Sequence, residues 1–460
     1  MSYIVTSNYE LSQAVAPRLL NAPLEYDPRY QDQLNNVLRL YFNQLDKIIG
    51  QLVASGSSVP ITFPPTALDA FGRQRVSQPY TLFDSQSRYA ADNQFDTSTT
   101  GTGSTTYNSN QASVSMSVTG GGVGSVVRQS YRSFPYQPGK GLLVLATFQM
   151  DSSNSVNLSQ KVGYFNAQNG VFFSKVDGTN AFTLRSYTGG SVDDSRSVTQ
   201  ANWNGDKLDG TGASGLTLDL THPQILWMDF EWLGVGSVRC GFIINGQYIV
   251  CHTFNTANVY GTTVYMTTAI LPVRYEITST SAVAATLTQI CSSVMSEGGF
   301  EATSIEHIAR RVNATSASTI TTSFYPIVSI RLSSSTLGAV VIPSSLNFLP
   351  TTSDNYEICL IKNTTLTGPS WASVPSDSNV EYDITSSAMT GGTICGSTFT
   401  TGKSGPVPLN SGNSYNWDLQ FGASLAGVSD IFTLAARVVT TGGAGSGGGV
   451  GSISFYDLTQ

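Results

Sequence analysis

Ile225-Leu226-Trp227-Met228-Asp229-Phe230-Glu231-Trp232 decides the fold class. Leu226, Met228, Phe230 and Trp232 keep strict period two, with Asp229 and Glu231 at the alternate positions. Successive side chains of a strand point to opposite faces, so this spacing builds a strand with one apolar face on a core. Just downstream, Asn245-Gly246 separates the runs 238–244 and 248–254. Asn-Gly is the strongest short hairpin signal, because a type I′ turn needs φ > 0 at both central residues. Such a turn sets Ile244 against Gln247 and, counted outward, Cys240 against Cys251. Further alternating runs lie at 142–150, 162–165, 171–176, 182–187, 216–220, 264–271 and 273–277. Val114, Met116 and Val118, then Gly120-Gly121-Gly122, then Val126-Val127 read as one more hairpin. Many short strands with turn signals between them predict a double-sheet sandwich.

A second β block starts near 321, with runs at 324–332, 338–348, 356–362, 380–384, 417–421, 431–439 and 452–457. The last run follows Gly442-Gly443-Ala444-Gly445-Ser446-Gly447-Gly448-Gly449, which reads as a flexible hairpin tip. No fixed-period repeat is visible, which argues against a solenoid or propeller. The segment 92–111 is nearly all Ser, Thr, Asn and Gly and reads as an exposed loop.

Near the start, Asp27-Pro28 supplies an N-cap with Pro at the first helical position, and Gly56 supplies a stop. Between them Leu34, Leu38, Tyr41, Leu45, Ile48 and Leu52 alternate steps of four and three, a heptad seam. Leu at a with Ile at d disfavours dimers, and Val37, Phe42 and Ile49 widen the stripe. The spacing points to trimers or tetramers; the competing reading is an amphipathic helix packed on its own domain, and self-association, with a trimer taken forward, is the reading adopted. The resulting organisation is an attachment arm at 1–26, a trimerising coiled-coil helix at 27–56 and a linker with an extended segment at 57–111. A β-sandwich at 112–297, a linker at 298–320 and a C-terminal β domain at 321–460 follow.

Composition narrows the function classes. The 460 residues carry 23 basic and 30 acidic side chains, a net charge of −7, and charged residues are only 12%. A nucleic-acid binder shows a clustered basic stripe; here the chain is acidic and its charges are scattered. No apolar run approaches the ~18 residues of a membrane span. Met1-Ser2-Tyr3-Ile4-Val5 lacks the positive region of a secretory signal. Ser and Thr make up roughly a quarter of the chain, well above ordinary usage. The 21 Phe, 21 Tyr and 5 Trp are enough for a sizeable core. This is the composition of an all-β extracellular shell, fibre or sandwich. Five Cys without a CxxC argue against a zinc ribbon or disulfide framework, and they read as reduced thiols of a protein made in a reducing cytosol.

The chemistry-bearing patterns are sparse. Gly120-Gly121-Gly122-Val123-Gly124-Ser125 has no Lys to reach a phosphate, and Pro138-Gly139-Lys140-Gly141 lacks the rest of a P-loop; both read as turns. Asn204-Gly205-Asp206-Lys207-Leu208-Asp209-Gly210 clusters oxygen ligands, but Leu208 breaks the alternation a Ca²⁺ loop needs. Glu306-His307 has no second His at helical spacing, and none of the three His sits by a nucleophile elbow. Neither a metal nor a cofactor is expected. Asp229 and Glu231 are the best acidic pair, on one strand face at ~6.5–7 Å between Cα atoms. Glycoside hydrolysis uses carboxylates ~5–9.5 Å apart. Trp227 shares their face and would stack on a sugar ring, whereas Trp232 falls on the core face. Trp227, Asp229 and Glu231 are therefore the candidate glycan-binding set, against the plainer reading of a solvated strand face.

Several stretches resemble virion structural proteins of tailed bacteriophages. Asp69-Ala70-Phe71-Gly72-Arg73-Gln74-Arg75-Val76-Ser77-Gln78-Pro79-Tyr80-Thr81-Leu82-Phe83-Asp84-Ser85 is the first. Arg128-Gln129-Ser130-Tyr131-Arg132 with Pro135-Tyr136-Gln137-Pro138-Gly139-Lys140 is the second. Trp203-Asn204-Gly205-Asp206 and the run from Ile225 to Gly236 are similar too, as are Tyr325-Pro326-Ile327-Val328-Ser329-Ile330-Arg331-Leu332 and Asn379-Val380-Glu381-Tyr382-Asp383-Ile384. The helix opening Tyr26-Asp27-Pro28-Arg29-Tyr30 resembles N-terminal modules of marine and cyanobacterial phage tail or fibre proteins. The resemblance covers most of 25–400. It implies a mainly β virion protein whose central block is a lectin-like jelly roll, with no catalytic motif to carry over. It further implies a tail- or baseplate-attached fibre or spike that contributes to host attachment. Its partners would be itself (a homotrimer), other virion proteins through the arm, and a host-surface glycan, with no nucleic acid and no membrane. Assembly would take place in the host cytoplasm. A capsid decoration or head-fibre protein is the alternative, and a polysaccharide depolymerase the second.

Overall fold

A computed structural model describes residues 28–54 and 78–459, apart from 302–303, 314, 316–318, 376–377, 403–406, 411–416 and 440–446. The arm at 1–26, the linker start and most of the glycine-rich tip therefore lie outside the described residues. The chain divides into two compact units, Met1–Pro64 and Pro65–Gln460.

In the first unit a helix, α1, runs from Pro28 to Ala54, with Pro where its missing N–H is no loss. Leu34, Val37, Leu38, Tyr41 and Leu45 are half-buried along one side, while Leu40 and Phe42 are 60% and 58% exposed. The side chains of Ile48 and Leu52 lie outside the described residues. The α1 stripe is present as a one-sided face; a long coiled coil is not shown.

The second unit is mainly β and holds two sandwiches. In the first, an eight-stranded sheet runs Gln247–Phe254, Val238–Ile244, Gln224–Phe230, Gly141–Met150, Ala285–Glu297, Ser113–Val118 and Ser104–Asn108. Tyr80–Gln86 also pairs with Ala285–Glu297. A seven-stranded sheet runs Asp193–Thr199, Thr179–Ser186, Gly170–Val176, Leu158–Phe165, Val273–Ser279, Gly124–Ser130 and Phe95–Gly101. The chain passes back and forth between the two sheets, in jelly-roll fashion. Rings from both inner faces interlock: Phe173 lies 5.9 Å from Phe148 and 5.3 Å from Phe242, centroid to centroid.

The second sandwich pairs a six-stranded sheet with a four-stranded one. The larger runs Ala372–Ser373, Val380–Asp383, Tyr325–Leu332, Ile431–Val438, Asn355–Lys362 and Thr393–Thr401. The smaller runs Glu306–Arg311, Gly449–Asp457, Val341–Pro350 and Val407–Asn410. Its core is separate from the first and includes Ile327, Phe348, Tyr356, Phe432, Leu434 and Phe455.

Several expectations need correction. The first sandwich starts near Tyr80 rather than 112, since the 92–111 segment supplies two strands, Phe95–Gly101 and Ser104–Asn108. Both carry β-branched Thr and sit at sheet edges, where a polar strand satisfies its backbone without needing an apolar face. Residues 114–118 and 126–127 do not form a hairpin: their strands belong to different sheets, and the glycines between them carry the chain across. The 298–320 linker contributes Glu306–Arg311 to the second sandwich. Residues 264–271 and 216–220 are not strands; Tyr265, Met266, Ala269 and Leu271 instead plug the end of the first sandwich. Within 417–421, Trp417–Leu419 form a 3₁₀ turn and no strand is present.

The Asn245-Gly246 turn is as expected, with φ of 52° and 74°. Ile244 opposes Gln247, but the register shifts after Gly241, so Cys240 faces His252 and Cys251 becomes the extra residue of a bulge. Both thiols are free and buried, and burial pushes each well above its ordinary pKa.

Candidate functional site

The acidic pair singled out in the sequence is not an open site. Gln224–Phe230 lies centrally in the eight-stranded sheet, between Val238–Ile244 and Gly141–Met150. Trp227 and Asp229 leave the core side but are 2% and 0% exposed. Trp227 stands opposite Gly241, where an added Cβ would come within 2.9 Å of the indole nitrogen. The indole N–H donates to the Ile249 carbonyl at 3.2 Å, and the ring meets Tyr248 edge-on at 5.5 Å. No face of this ring is offered to a sugar. Asp229 stands opposite Arg239 and forms an ion pair with it, so its charge is compensated inside the sheet. Glu231 lies past the strand end, half-buried, its N–H bonded to the Ser237 carbonyl at 2.9 Å. The strand stops at Phe230, so the period-two extrapolation does not bring Asp229 and Glu231 together as an exposed pair.

The oxygen-rich loop is a turn held by its own backbone. Asp206 accepts N–H bonds from Leu208 at 2.9 Å and Ser214 at 2.6 Å. Burial opposes its ionisation, but these N–H donors win and hold its pKa below the ordinary value. His307 lies on a strand, stacked on Phe455 at 5.7 Å.

A different place gathers aromatic and polar groups. A cleft of about 370 Å³ opens within the second unit, between the two sandwiches. Its walls come from four sources: residues 135–138, Trp232 with residues 267–270, Phe300, Glu301 and Ser304 of the connector, and Leu458 and Thr459 near the C-terminus. That volume sits at the small end of ligand pockets, ~300–1,000 Å³. Trp232, placed on the core face by the sequence pattern, sits two residues beyond its strand and is only partly buried. Tyr136 fixes it: the rings meet edge-to-face at 5.9 Å and 88°, and the Trp232 backbone N–H donates to the Tyr136 hydroxyl at 3.1 Å. The Trp232 indole N–H is buried with no acceptor among the described residues.

Opposite in chemistry is the connector. Gly298 and Gly299 both have positive φ, 100° and 78°, which turns the chain so that Phe300 stacks on Tyr80 at 6.2 Å. The Gln137 side-chain amide clamps the next residue, donating to the Glu301 carbonyl and accepting its N–H at 3.0 Å. The Glu301 carboxylate itself has no partner among the described residues and is exposed. It is the one charged side chain among the described lining residues. Thr267 is held in place by Asn169, which donates to its hydroxyl at 2.7 Å and accepts its N–H at 3.0 Å. The sequence reading missed Gln137, Phe300 and Glu301, because the cleft is made by packing two sandwiches and no local pattern marks it. The one available signal was Phe300 directly after a Gly-Gly pair.

No protein-family model matches this chain, and no curated protein matches it. Among solved structures it is similar to the Emp47p carbohydrate recognition domain, with a TM-score of 0.30 and 9% identity over 48% of this chain and 97% of that one. It is similar to the cellulose-induced protein Cip1, with a TM-score of 0.29 and 12% identity over 46% of this chain and 96% of that one. It is also similar to the binding domain of botulinum neurotoxin DC, solved in complex with SialylT, with a TM-score of 0.27 and 8% identity over 44% of this chain and 42% of that one.

Proposed function

We propose that this chain is an attachment module of a tailed-phage particle, a fibre or spike that binds a host-surface saccharide without cleaving it. The observation that carries the reading is the cleft between the sandwiches, lined by a fixed Trp232, a stacked Phe300 and Glu301, whose carboxylate has no partner among the described residues. Aromatic faces with a few oriented polar groups suit a sugar, which has an apolar C–H face and a rim of hydroxyls. Asp229 is occupied by Arg239, which supports binding rather than hydrolysis. The α1 stripe supports assembly into a homotrimer, in which several weak sites act together. The sequence resemblance supports a virion location, assembled in the host cytoplasm, with the N-terminal arm joining other virion proteins. The test uses the full-length protein on immobilised bacterial polysaccharides. Retention without release of reducing ends is expected. Release of reducing ends would give the depolymerase reading instead. Copy number per particle separates a tail fibre, about a few dozen or fewer, from a capsid decoration, on the order of hundreds.

A further inference from the structure

We infer that the inter-sandwich cleft takes an uncharged pyranose, its C–H face on Trp232 and its hydroxyls donating to the Glu301 carboxylate. This rests on the saccharide-binding reading above and adds the ligand's charge class and its contacts.

Three observations lead there. First, the lining is electrostatically one-sided: Glu301 is the single charged residue among the described lining residues, which include no Lys, Arg or His. The nearby Lys140 ammonium is directed to the Gly299 carbonyl at 3.4 Å. A carboxylate, sulfate or phosphate on the ligand would face a like charge with no cation among the lining residues to offset it. Second, Glu301 is fixed at its backbone and open at its carboxylate. Its backbone is clamped on both sides by the Gln137 amide, yet its carboxylate has no partner among the described residues. An ionised carboxylate only accepts hydrogen bonds, so it selects donors, and vicinal sugar hydroxyls are donors. Third, Trp232 is oriented before any ligand arrives. The Tyr136 ring packs at 88° to the indole and its hydroxyl accepts the Trp232 backbone N–H, so little ordering is left for binding to supply.

The test is titration of the full-length protein with methyl α-D-glucopyranoside, methyl α-D-mannopyranoside and methyl β-D-galactopyranoside, set against sialyllactose and glucuronic acid. Tryptophan fluorescence and saturation-transfer NMR read binding, and thermal unfolding checks that each variant is folded. At least one neutral pyranoside should bind and both anionic sugars should not. Glu301→Gln should weaken the neutral ligand roughly tenfold, and Glu301→Lys should remove it and admit an anionic one. Neutral binding unchanged in both variants, or a wild type that binds only the anionic sugars, overturns this inference while leaving saccharide attachment standing. Absence of binding to every saccharide overturns both.

Discussion

Trp227 and Trp232 stand five positions apart and end with opposite roles. Trp227 gives its N–H to Ile249 and is sealed; Trp232 has no acceptor for its N–H among the described residues and lines a cleft. Period two put Trp227 on the face away from the core, but it fails for Trp232, which lies beyond the strand end at Phe230, and it carries no information on which face a neighbouring segment covers. Asp229 shows the same limit: it reads as a solvated carboxylate and is a fully buried ion-pair partner. Removing one member of a buried pair strands the other charge, so Asp229→Ala should cost about 3–5 kcal/mol of stability. Urea unfolding checks it; a change below about 1 kcal/mol, the scale of an exposed pair, would contradict it. His252 supplies a pH dependence. Burial, aided by the Arg196 guanidinium, lowers its pKa from 6.5 to about 4. The folded state thus holds the imidazole neutral while the unfolded chain protonates it, so stability falls as pH drops from about 6.5 towards 4. His252→Gln should flatten the thermal midpoint across that window, and a slope identical to wild type would refute the assignment.

Among elements, the strands with strict alternation were legible: Val238–Ile244 and Gln247–Phe254 lie where the Asn-Gly turn put them. The bulge at Cys251 was not, because the Gly205 and Asp206 backbones bond that edge from elsewhere in the chain. Thr-rich edge strands and the glycine crossing at 120–122 were also hidden, since both depend on which sheet a segment joins rather than on local spacing. The helix is the clearest element in sequence and the least supported by its own packing. Phe42 is 58% exposed, and Leu34, Leu38, Tyr41 and Leu45 are only half-buried, a face that suits a second copy of the same helix. Leu38→Lys with Leu45→Lys should convert an oligomer to a monomer in sedimentation equilibrium without moving the unfolding midpoint of the sandwiches. A wild type that sediments as a monomer would remove the seam.

For the whole molecule, the two separate cores lie in one compact unit, and the 420–425 segment of the second sandwich is bonded to the first. Gln420 donates to the Ser133 carbonyl at 2.6 Å, Ala423 to Tyr131 at 2.8 Å, and the Leu425 N–H to Asp96 at 2.7 Å. Gly422 makes this approach possible: a Cβ there would lie 2.7 Å from the Tyr131 Cβ and 3.0 Å from its carbonyl. Gly422→Ala should therefore destabilise the junction by about 1–3 kcal/mol, seen as a lower urea midpoint and faster proteolysis between the sandwiches. An unchanged midpoint would mean that the two modules are not held by this contact. The composition announced an all-β molecule; the junction, and with it the cleft, exists only once both modules are folded and docked.

The most direct test of helix-gathered saccharide attachment is surface plasmon resonance on a densely immobilised neutral polysaccharide, comparing wild type with Leu38→Lys/Leu45→Lys. Linking weak sites raises apparent affinity by about 10²–10⁴ without any new contact. The account predicts a loss of that order on the surface, with unchanged affinity for the free monosaccharide in solution. Equal surface binding by the monomeric variant, or none by the wild type, would contradict it.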